Sequence, residues 1–187
     1  FRGNEQFIKF TMQPAPKHRL VLSFDRQFSL WPAPHGVDTW NMPESVGAQT
    51  VPTYSWNAHY TFLASGHTFF ELKYSGYFST SDYLPAFGGD INHPAHLDLA
   101  TNVTSQGLLF GWEYKTSLHK LNATMSHFAE DFLAGDHDFR FGAQIGRGAV
   151  ETWGGYGGGK LYLDYDGEPY LLYEQNIFSY GGTVRSV

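Results

Sequence analysis

A glycine-rich stretch is the part of this sequence that looks most like a reactive motif. Residues 154–160 read GGYGGGK, which matches the G-x-x-x-x-G-K spacing of a phosphate-binding loop. Leu161 follows where magnesium binding needs Ser or Thr, and no helix pattern comes next. No G-x-S-x-G nucleophile motif is present either. We therefore interpret this stretch as a flexible loop, and we predict no catalytic residue and no enzyme activity.

Two groups of oxygen- and nitrogen-bearing side chains could in principle hold a metal ion. The first consists of Asp90, His93, His96 and Asp98, and the second of Asp164, Asp166 and Glu168. The first has His-x-x-His spacing, but Pro94 interrupts it, and no residues are evident that would orient the histidines by hydrogen bonds. The second does not have the spacing of an EF-hand loop. Solvated loop side chains are the favoured interpretation of both groups, and we predict no metal and no cofactor.

Aromatic side chains outside the regular strands are the best candidates for ligand contact. They are Trp40, Tyr83, Trp112, Trp153 and Tyr156. Aromatic faces stack on sugars or chelates, and binding residues concentrate on loops that a rigid scaffold holds in place. The alternative for each of them is that long loops pack against themselves.

A predicted hairpin at residues 118–148 shows which elements must position these loops. In its second arm Phe139, Phe141, Ala143 and Ile145 alternate with polar or small residues. In its first arm, apolar residues 121, 123 and 125 alternate with polar residues 122, 124 and 126. Alternation with period two indicates a strand that has one apolar and one polar face. Residues 132–137, which include glycine and aspartate, favour the turn between the arms.

The rest of the chain repeats this unit of strand, short turn, strand and long loop. Further strands are predicted at residues 5–13, 20–30, 54–63 and 68–80, and a last one begins near Asn176. Turns are predicted at residues 14–19 and at Ser65-Gly66. Long irregular loops are predicted at 32–52, 81–114 and 153–174, with a possible short hairpin around LLFGWEY at residues 108–114. About seven long strands result, with short and long connections in strict alternation.

Composition narrows the class of protein. The chain has 187 residues, 18% aromatic and only 16% charged, against about 25% charged in ordinary soluble domains. The net charge of −6 argues against a nucleic-acid partner. No Cys is present, which excludes disulfides and thiolate metal sites. The chain begins at Phe1 and ends in a strand-like stretch, so we expect a piece of a longer protein.

Connections that are short at one end of a sheet and long at the other are typical of an outer-membrane β-barrel. A membrane strand needs only about 9–11 residues, of which alternate ones are apolar. Aromatic residues predicted near strand ends fit interfacial girdles. They are Trp31, Tyr54, Trp56, Phe78, Phe128 and Phe139. A soluble β-sandwich or lipocalin-like barrel would give the same alternation, and it stays open as an alternative.

Three stretches resemble one known family. SHFAEDFLAGDHDFRFGAQIGRG at residues 126–148 resembles a barrel hairpin of TonB-dependent outer-membrane receptors, in the subgroup with an N-terminal carboxypeptidase-regulatory-like domain. The matching positions are Phe128, Asp131, Phe132, His137, Asp138, Phe139, Arg140, Phe141 and Gly142. Residues 10–25 are similar to the family's strand–turn–strand pattern, and DYDGEPY at residues 164–170 to one of its loop segments.

The resemblance implies an all-β, antiparallel, up-and-down transmembrane barrel of about 22 strands, of which residues 1–187 would form a part. It implies import of a scarce nutrient, such as a metal chelate, cobalamin or glycan, across the outer membrane of a Gram-negative cell. The implied partners are outer-membrane lipid, the nutrient, and a plug domain and TonB in the full-length protein. The alternatives are a small porin or adhesin barrel and a soluble carbohydrate-binding β-sandwich.

Overall fold

The computed structural model describes residues 1–33, 40–175 and 178–186, and their fold is all-β. These residues form eleven strands: β1 (Arg2–Ala15), β2 (His18–Trp31), β3 (Gly47–Leu63), β4 (Thr68–Pro85), β5 (Ala95–Asp98), β6 (Val103–Ser105), β7 (Gly111–Ala129), β8 (His137–Gly155), β9 (Lys160–Tyr165), β10 (Glu168–Glu174) and β11 (Phe178–Ser186). Short 3₁₀ turns lie at Pro43–Ser45 and Gly157–Gly159. Among the described residues no helix is long and apolar enough to cross a membrane.

Seven long strands form the main sheet, in the order β1-β2-β3-β4-β7-β8-β11. Every pairing in this sheet is antiparallel, and β1 and β11 form its two open edges. This confirms the predicted all-β, antiparallel, up-and-down class. The connections at residues 16–17, 64–67 and 130–136 are short, and those that follow β2, β4 and β8 are long.

The alternation of side chains places apolar residues together across the main sheet. Leu121 pairs with Ile145 and Met125 with Phe141, so the apolar residues of β7 and β8 share one face. The same face continues through β4, because Phe70 pairs with Met125. We call this the apolar face and the opposite one the polar face. The predicted facing of the hairpin is therefore confirmed.

The polar face carries a network of charged side chains centred on Glu71. The Glu71 carboxylate lies 2.9 Å from the Nε2 atom of His59 and 3.0 Å from the Nζ atom of Lys73. The guanidinium of Arg140, on β8, lies 3.9 Å from the other Glu71 oxygen. Because the Glu71 side chain is mostly covered, the two closer contacts hold its charge in place.

Four short strands form a second sheet, in the order β10-β9-β5-β6, at the end of the main sheet that carries the long connections. Its core consists of Ala95, Leu161 and Leu163. β5 and β9 pair in parallel although they come from different connections. Residues 40–42 dock along β6, because the backbone N–H of Met42 donates to the Thr104 carbonyl at 3.0 Å. We call this sheet and the docked segment the cap.

The cap corrects the prediction of three irregular loops. Residues 153–174 finish β8 and then form the hairpin of β9 and β10. The second connection contains the hairpin of β5 and β6, whereas residues 108–114 lead into β7 and form no hairpin. β3 begins at Gly47, so Pro52 lies inside a strand where a loop was predicted. The ladder between β3 and β4 is interrupted there, and the Ser79 hydroxyl donates to the Pro52 carbonyl at 3.2 Å.

Other boundaries shift because the strands are longer than predicted. β1 extends to Ala15, so Pro14 belongs to an edge strand, where its missing N–H does no harm, and the turn is shorter than predicted. Tyr54, Trp56 and Phe78 lie within β3 and β4 and not at strand ends. The predicted start of the last strand, Asn176, lies outside the described residues.

Candidate ligand-binding site

Three aromatic side chains form a patch on the polar face, at the end of the main sheet that carries the cap. Tyr83 of β4 and Trp112 of β7 are cross-strand partners, and their rings stack with centroids 5.8 Å apart. Tyr114 lies two residues along β7, on the same face, with its ring 5.0 Å from that of Trp112. We call Tyr83, Trp112 and Tyr114 the aromatic patch. Stacked and tilted rings of this kind offer flat apolar faces to a ligand.

Polar and small residues surround the aromatic patch. Gly47 lies beneath Tyr83, so a Cβ atom there would come 2.4 Å from the tyrosine ring. Gln49 pairs with Tyr83 and donates from its side-chain amide to the Ser81 hydroxyl at 3.2 Å. A tyrosine hydroxyl is protonated at neutral pH, and burial of Tyr83 raises its pKa further. Thr152 follows on the same face of β8, beside Tyr114.

The structure brings together two of the five predicted ligand-contact residues, Tyr83 and Trp112. Both lie on strands and not in a loop, because β4 and β7 extend past the predicted loop boundaries. Trp153 also lies on a strand, but it pairs with Glu113 and therefore faces away from the aromatic patch. Sequence reasoning missed Tyr114, although its spacing of two residues from Trp112 is the signal that could have found it.

Of the other two predicted residues, Trp40 lies in the docked segment of the cap and Tyr156 lies just before β9, packed against the cap. Tyr156 packs against the core of the cap, and its ring meets that of Phe110 edge to face at 6.0 Å. Self-packing of the connections is therefore the better account of Tyr156. Trp40 is 52% exposed, and its carbonyl accepts the backbone N–H of Thr104 at 2.7 Å. Its backbone thus has a structural role, while its indole remains accessible.

The potential metal ligands are engaged in contacts within the cap. His96 stacks on Tyr162, and its Nδ1 atom lies 2.8 Å from an Asp164 oxygen. Asp98 accepts the backbone N–H groups of Thr101 at 2.9 Å and of Gly167 at 2.7 Å, and these bonds hold its pKa below the usual value. Within residues 1–33, 40–175 and 178–186, no group of three or more acidic, histidine or cysteine side chains is arranged to hold a metal.

The glycine-rich stretch is packed closely against the backbone of residues 91–93 and does not form a free loop. Gly157 approaches the His93 carbonyl so closely that a Cβ atom would lie 2.4 Å from it. Gly158 has a φ of 58°, and its N–H donates to the Ile91 carbonyl at 2.9 Å. Backbone N–H groups that would cradle a phosphate therefore bind protein carbonyls instead. This corrects the interpretation of the stretch as a flexible loop.

Comparisons with protein-family models, with curated proteins and with solved structures found no match for this chain. The site itself defines an aromatic surface with hydrogen-bonding neighbours on the polar face of an open antiparallel sheet. Such a surface can stack on a planar or ring-shaped ligand and orient it through hydroxyl and amide groups.

Proposed function

We propose that this chain forms part of the wall of a TonB-dependent receptor barrel in the outer membrane of a Gram-negative cell. Its apolar face contacts lipid and its polar face lines a wet lumen. The cap and the aromatic patch face the outside and capture a scarce nutrient, such as a metal chelate, cobalamin or a glycan. The chain performs binding and transport and no catalysis.

The observation that carries this proposal is the exposure of the apolar face. Ile8 is 67% exposed, Phe141 61% and Leu72 44%, although all three belong to the apolar face. The buried apolar core of the described residues lies instead in the cap. A soluble sandwich would cover this face with a second sheet. Apolar patches of such extent mark a surface that meets lipid or another apolar partner.

The outline of the apolar face supports lipid as that partner, because it slants across the strands. In one cross-strand row Phe141, Met125, Phe70 and Phe62 end at His18. In a row nearer the cap Leu30 is followed by Thr50, Asp82 and Glu113. The apolar residues thus lie nearer the cap on β2 than on β8.

The slant has the size that a tilted barrel requires. The upper edge falls by four residues over two strand steps, from Phe78 on β4 to the row of Ile145 on β8. The lower edge falls by four residues over four steps, from Leu20 to the row of Phe139. With a rise of roughly 3.3 Å per residue and strands about 4.8 Å apart, these values correspond to roughly 35–55°. That range overlaps the tilt of about 35–45° in membrane barrels.

The apolar run of β2 contains one charged residue. Arg26 interrupts the apolar run of β2, between Phe24 and Phe28. Its guanidinium lies 3.5 Å from the Asn4 side-chain oxygen, which belongs to the edge strand β1. A long basic side chain at such a position can extend its charged end toward a polar neighbour while its stem stays in apolar surroundings.

The polar face supports a water-filled lumen. Glu71, His59, Lys73 and Arg140 lie together there, and charged groups of this kind are costly in a dry protein core. The aromatic patch continues this face toward the cap, and this position supports a role in capturing an entering ligand. The sequence resemblance of residues 126–148 to TonB-dependent receptors adds the class of transporter, the plug domain and TonB as partners.

Cysteine scanning of residues 138–146 tests the proposal in the full-length protein in its membrane. The chain contains no native Cys, so this region adds no background labelling. Single cysteines are labelled with a water-soluble thiol reagent and with a lipophilic one. Labelling of positions 139, 141, 143 and 145 by the lipophilic reagent alone, and of the positions between them by the water-soluble reagent alone, is expected. If the apolar positions resist both reagents, that face is packed in a protein core and the soluble sandwich replaces the membrane barrel.

A further inference from the structure

Three basic side chains lie in one cross-strand row on the apolar face. His119 pairs with Arg147, and Arg147 pairs with Arg185 on the last strand. On the other side of His119 the same row continues through Gly76, Trp56, Phe24 and Ile8, none of which is charged. We call His119, Arg147 and Arg185 the basic row. It lies directly beside the last apolar row of β7 and β8, on the side toward the cap.

A groove of about 520 Å³ connects the basic row with the apolar residues beside it. Its walls include Tyr74, Leu121 and Ile145 on the apolar side and His119, Arg147 and Arg185 on the basic side. One end of the groove therefore offers hydrocarbon, and the other offers positive charge. A ligand that fills it must have both properties.

Aromatic contacts fix the position of His119 in the groove. Its Nδ1 atom lies 2.8 Å from the Tyr74 hydroxyl, and the two rings stack at 6.2 Å. The Trp56 ring lies 5.8 Å away. Gly76 lies between Trp56 and His119 in this row, and its missing side chain leaves room for the Trp56 ring. A Cβ atom at Gly76 would lie 2.1 Å from the indole. Aromatic and basic side chains in this arrangement are typical of the boundary between hydrocarbon and headgroups.

The two arginines have no acidic partner among the described residues. Both are exposed, and they stand directly opposite each other on adjacent strands. Like charges in that position destabilise a sheet. A bound anion removes this repulsion, and a phosphate accepts several hydrogen bonds from guanidinium groups.

We infer that this groove binds a phosphorylated lipid, with an acyl chain along Leu121 and Ile145 and the phosphate on Arg147 and Arg185. A lipid fits better than free phosphate because the apolar end of the groove contributes to binding only when the anion carries a hydrocarbon chain. The inference rests on the proposed orientation of the apolar face toward the membrane, and it adds a specific lipid contact to the barrel wall.

Native mass spectrometry of the full-length protein in nonionic detergent tests this inference. The probes are dimyristoyl phosphatidic acid and dimyristoylglycerol, which share their acyl chains and differ in the phosphate. We expect the wild-type protein to bind the phosphatidic acid about tenfold more tightly, since charge-assisted hydrogen bonds are the stronger class. The double variant Arg147→Gln/Arg185→Gln should lose this preference. The matched control is Arg140→Gln, which removes a cation from the opposite face of the same strand and should retain it.

Each result bears on a different part of the inference. Equal binding of the two lipids by the wild-type protein would overturn the phosphate site while leaving a lipid-facing surface in place. Displacement of phosphatidic acid by an equal concentration of inorganic phosphate would make this a free-anion site and overturn the lipid assignment. If neither lipid binds, the proposed orientation of the apolar face fails together with the groove.

Discussion

Replacing Phe141 by arginine separates the membrane barrel from a soluble protein. Phe141 lies on the apolar face of β8 and is 61% exposed, so few protein contacts are lost when it changes. In water, such a surface substitution is expected to change the free energy of unfolding by no more than about 0.5 kcal/mol. In hydrocarbon, arginine costs about 2–4 kcal/mol at the midplane of the membrane and about 0–1 kcal/mol near its surface.

The position of Phe141 in the apolar band sets the expected value. On β8 this band runs from Phe139 to Ile145, so Phe141 is one residue from its centre. One residue is about 3.3 Å along the strand, or roughly 2.5 Å along the membrane normal at a tilt near 40°. Phe141 therefore lies close to the midplane, and Phe141→Arg should cost about 2–3 kcal/mol in lipid.

Denaturant unfolding of the full-length protein in lipid vesicles measures this cost. The control is Gln144→Arg, which places the same side chain on the polar face three residues further along β8 and should change the free energy by less than about 1 kcal/mol. A neutral Phe141→Arg, or equal costs for the two substitutions, would refute the assignment of faces to lipid and lumen.

Three further substitutions test the aromatic patch, the end of the main sheet near it, and the cap. Gly47→Ala should displace the Tyr83 ring and weaken the near-ultraviolet circular dichroism of the patch. It should lower the free energy of unfolding by about 1–3 kcal/mol. The control is Gly66→Ala, whose added Cβ meets no atom within 4 Å and should change neither quantity. Burial raises the pKa of Asp82, so the folded state loses stability as pH rises from the unfolded-state pKa of this carboxyl to its folded-state pKa. The variant Asp82→Asn carries no charge and should therefore have a higher melting temperature at pH 7. Asp98 has a lowered pKa, so its contribution to stability is present at neutral pH and is lost as pH falls through its folded-state pKa. Hydrogen exchange of cap amides, measured over an acid titration, should become faster in that pH range. The variant Asp98→Asn should not show this pH dependence.

Local alternation was enough to predict the strands of the main sheet and the residues on each face. The hairpin of β7 and β8 pairs Ala123 with Ala143 and Leu121 with Ile145. This register is expected, because a shift by one residue would move the apolar side chains of one strand to the polar face. The short turns could also be predicted from the sequence, because glycine, proline and aspartate favour turn conformations of the backbone.

The cap could not be predicted, because its strands are short and pair with distant parts of the chain. β5 and β6 have four and three residues, too few to show a period. Ala95 pairs in parallel with Leu161, and no local pattern indicates a partner that far away. The patch was found only in part for a related reason: β4 and β7 continue beyond the apolar band, where aromatic and polar residues occur on both faces.

The parallel pairing of β5 with β9 sets an order of events in folding. More than sixty residues separate these strands along the chain, and closing so long a loop by itself is entropically unfavourable and slow. Once β7 and β8 have paired, Gly111 lies beside Gly155. The connection that carries β5 and the one that carries β9 then start from neighbouring points. The effective loop then shrinks to about sixteen residues, namely residues 99–110 between β5 and Gly111 and residues 156–159 between Gly155 and β9. The cap should therefore assemble last, and a chain stalled before the β7–β8 hairpin closes should expose Leu161 and Leu163 to chaperones and proteases.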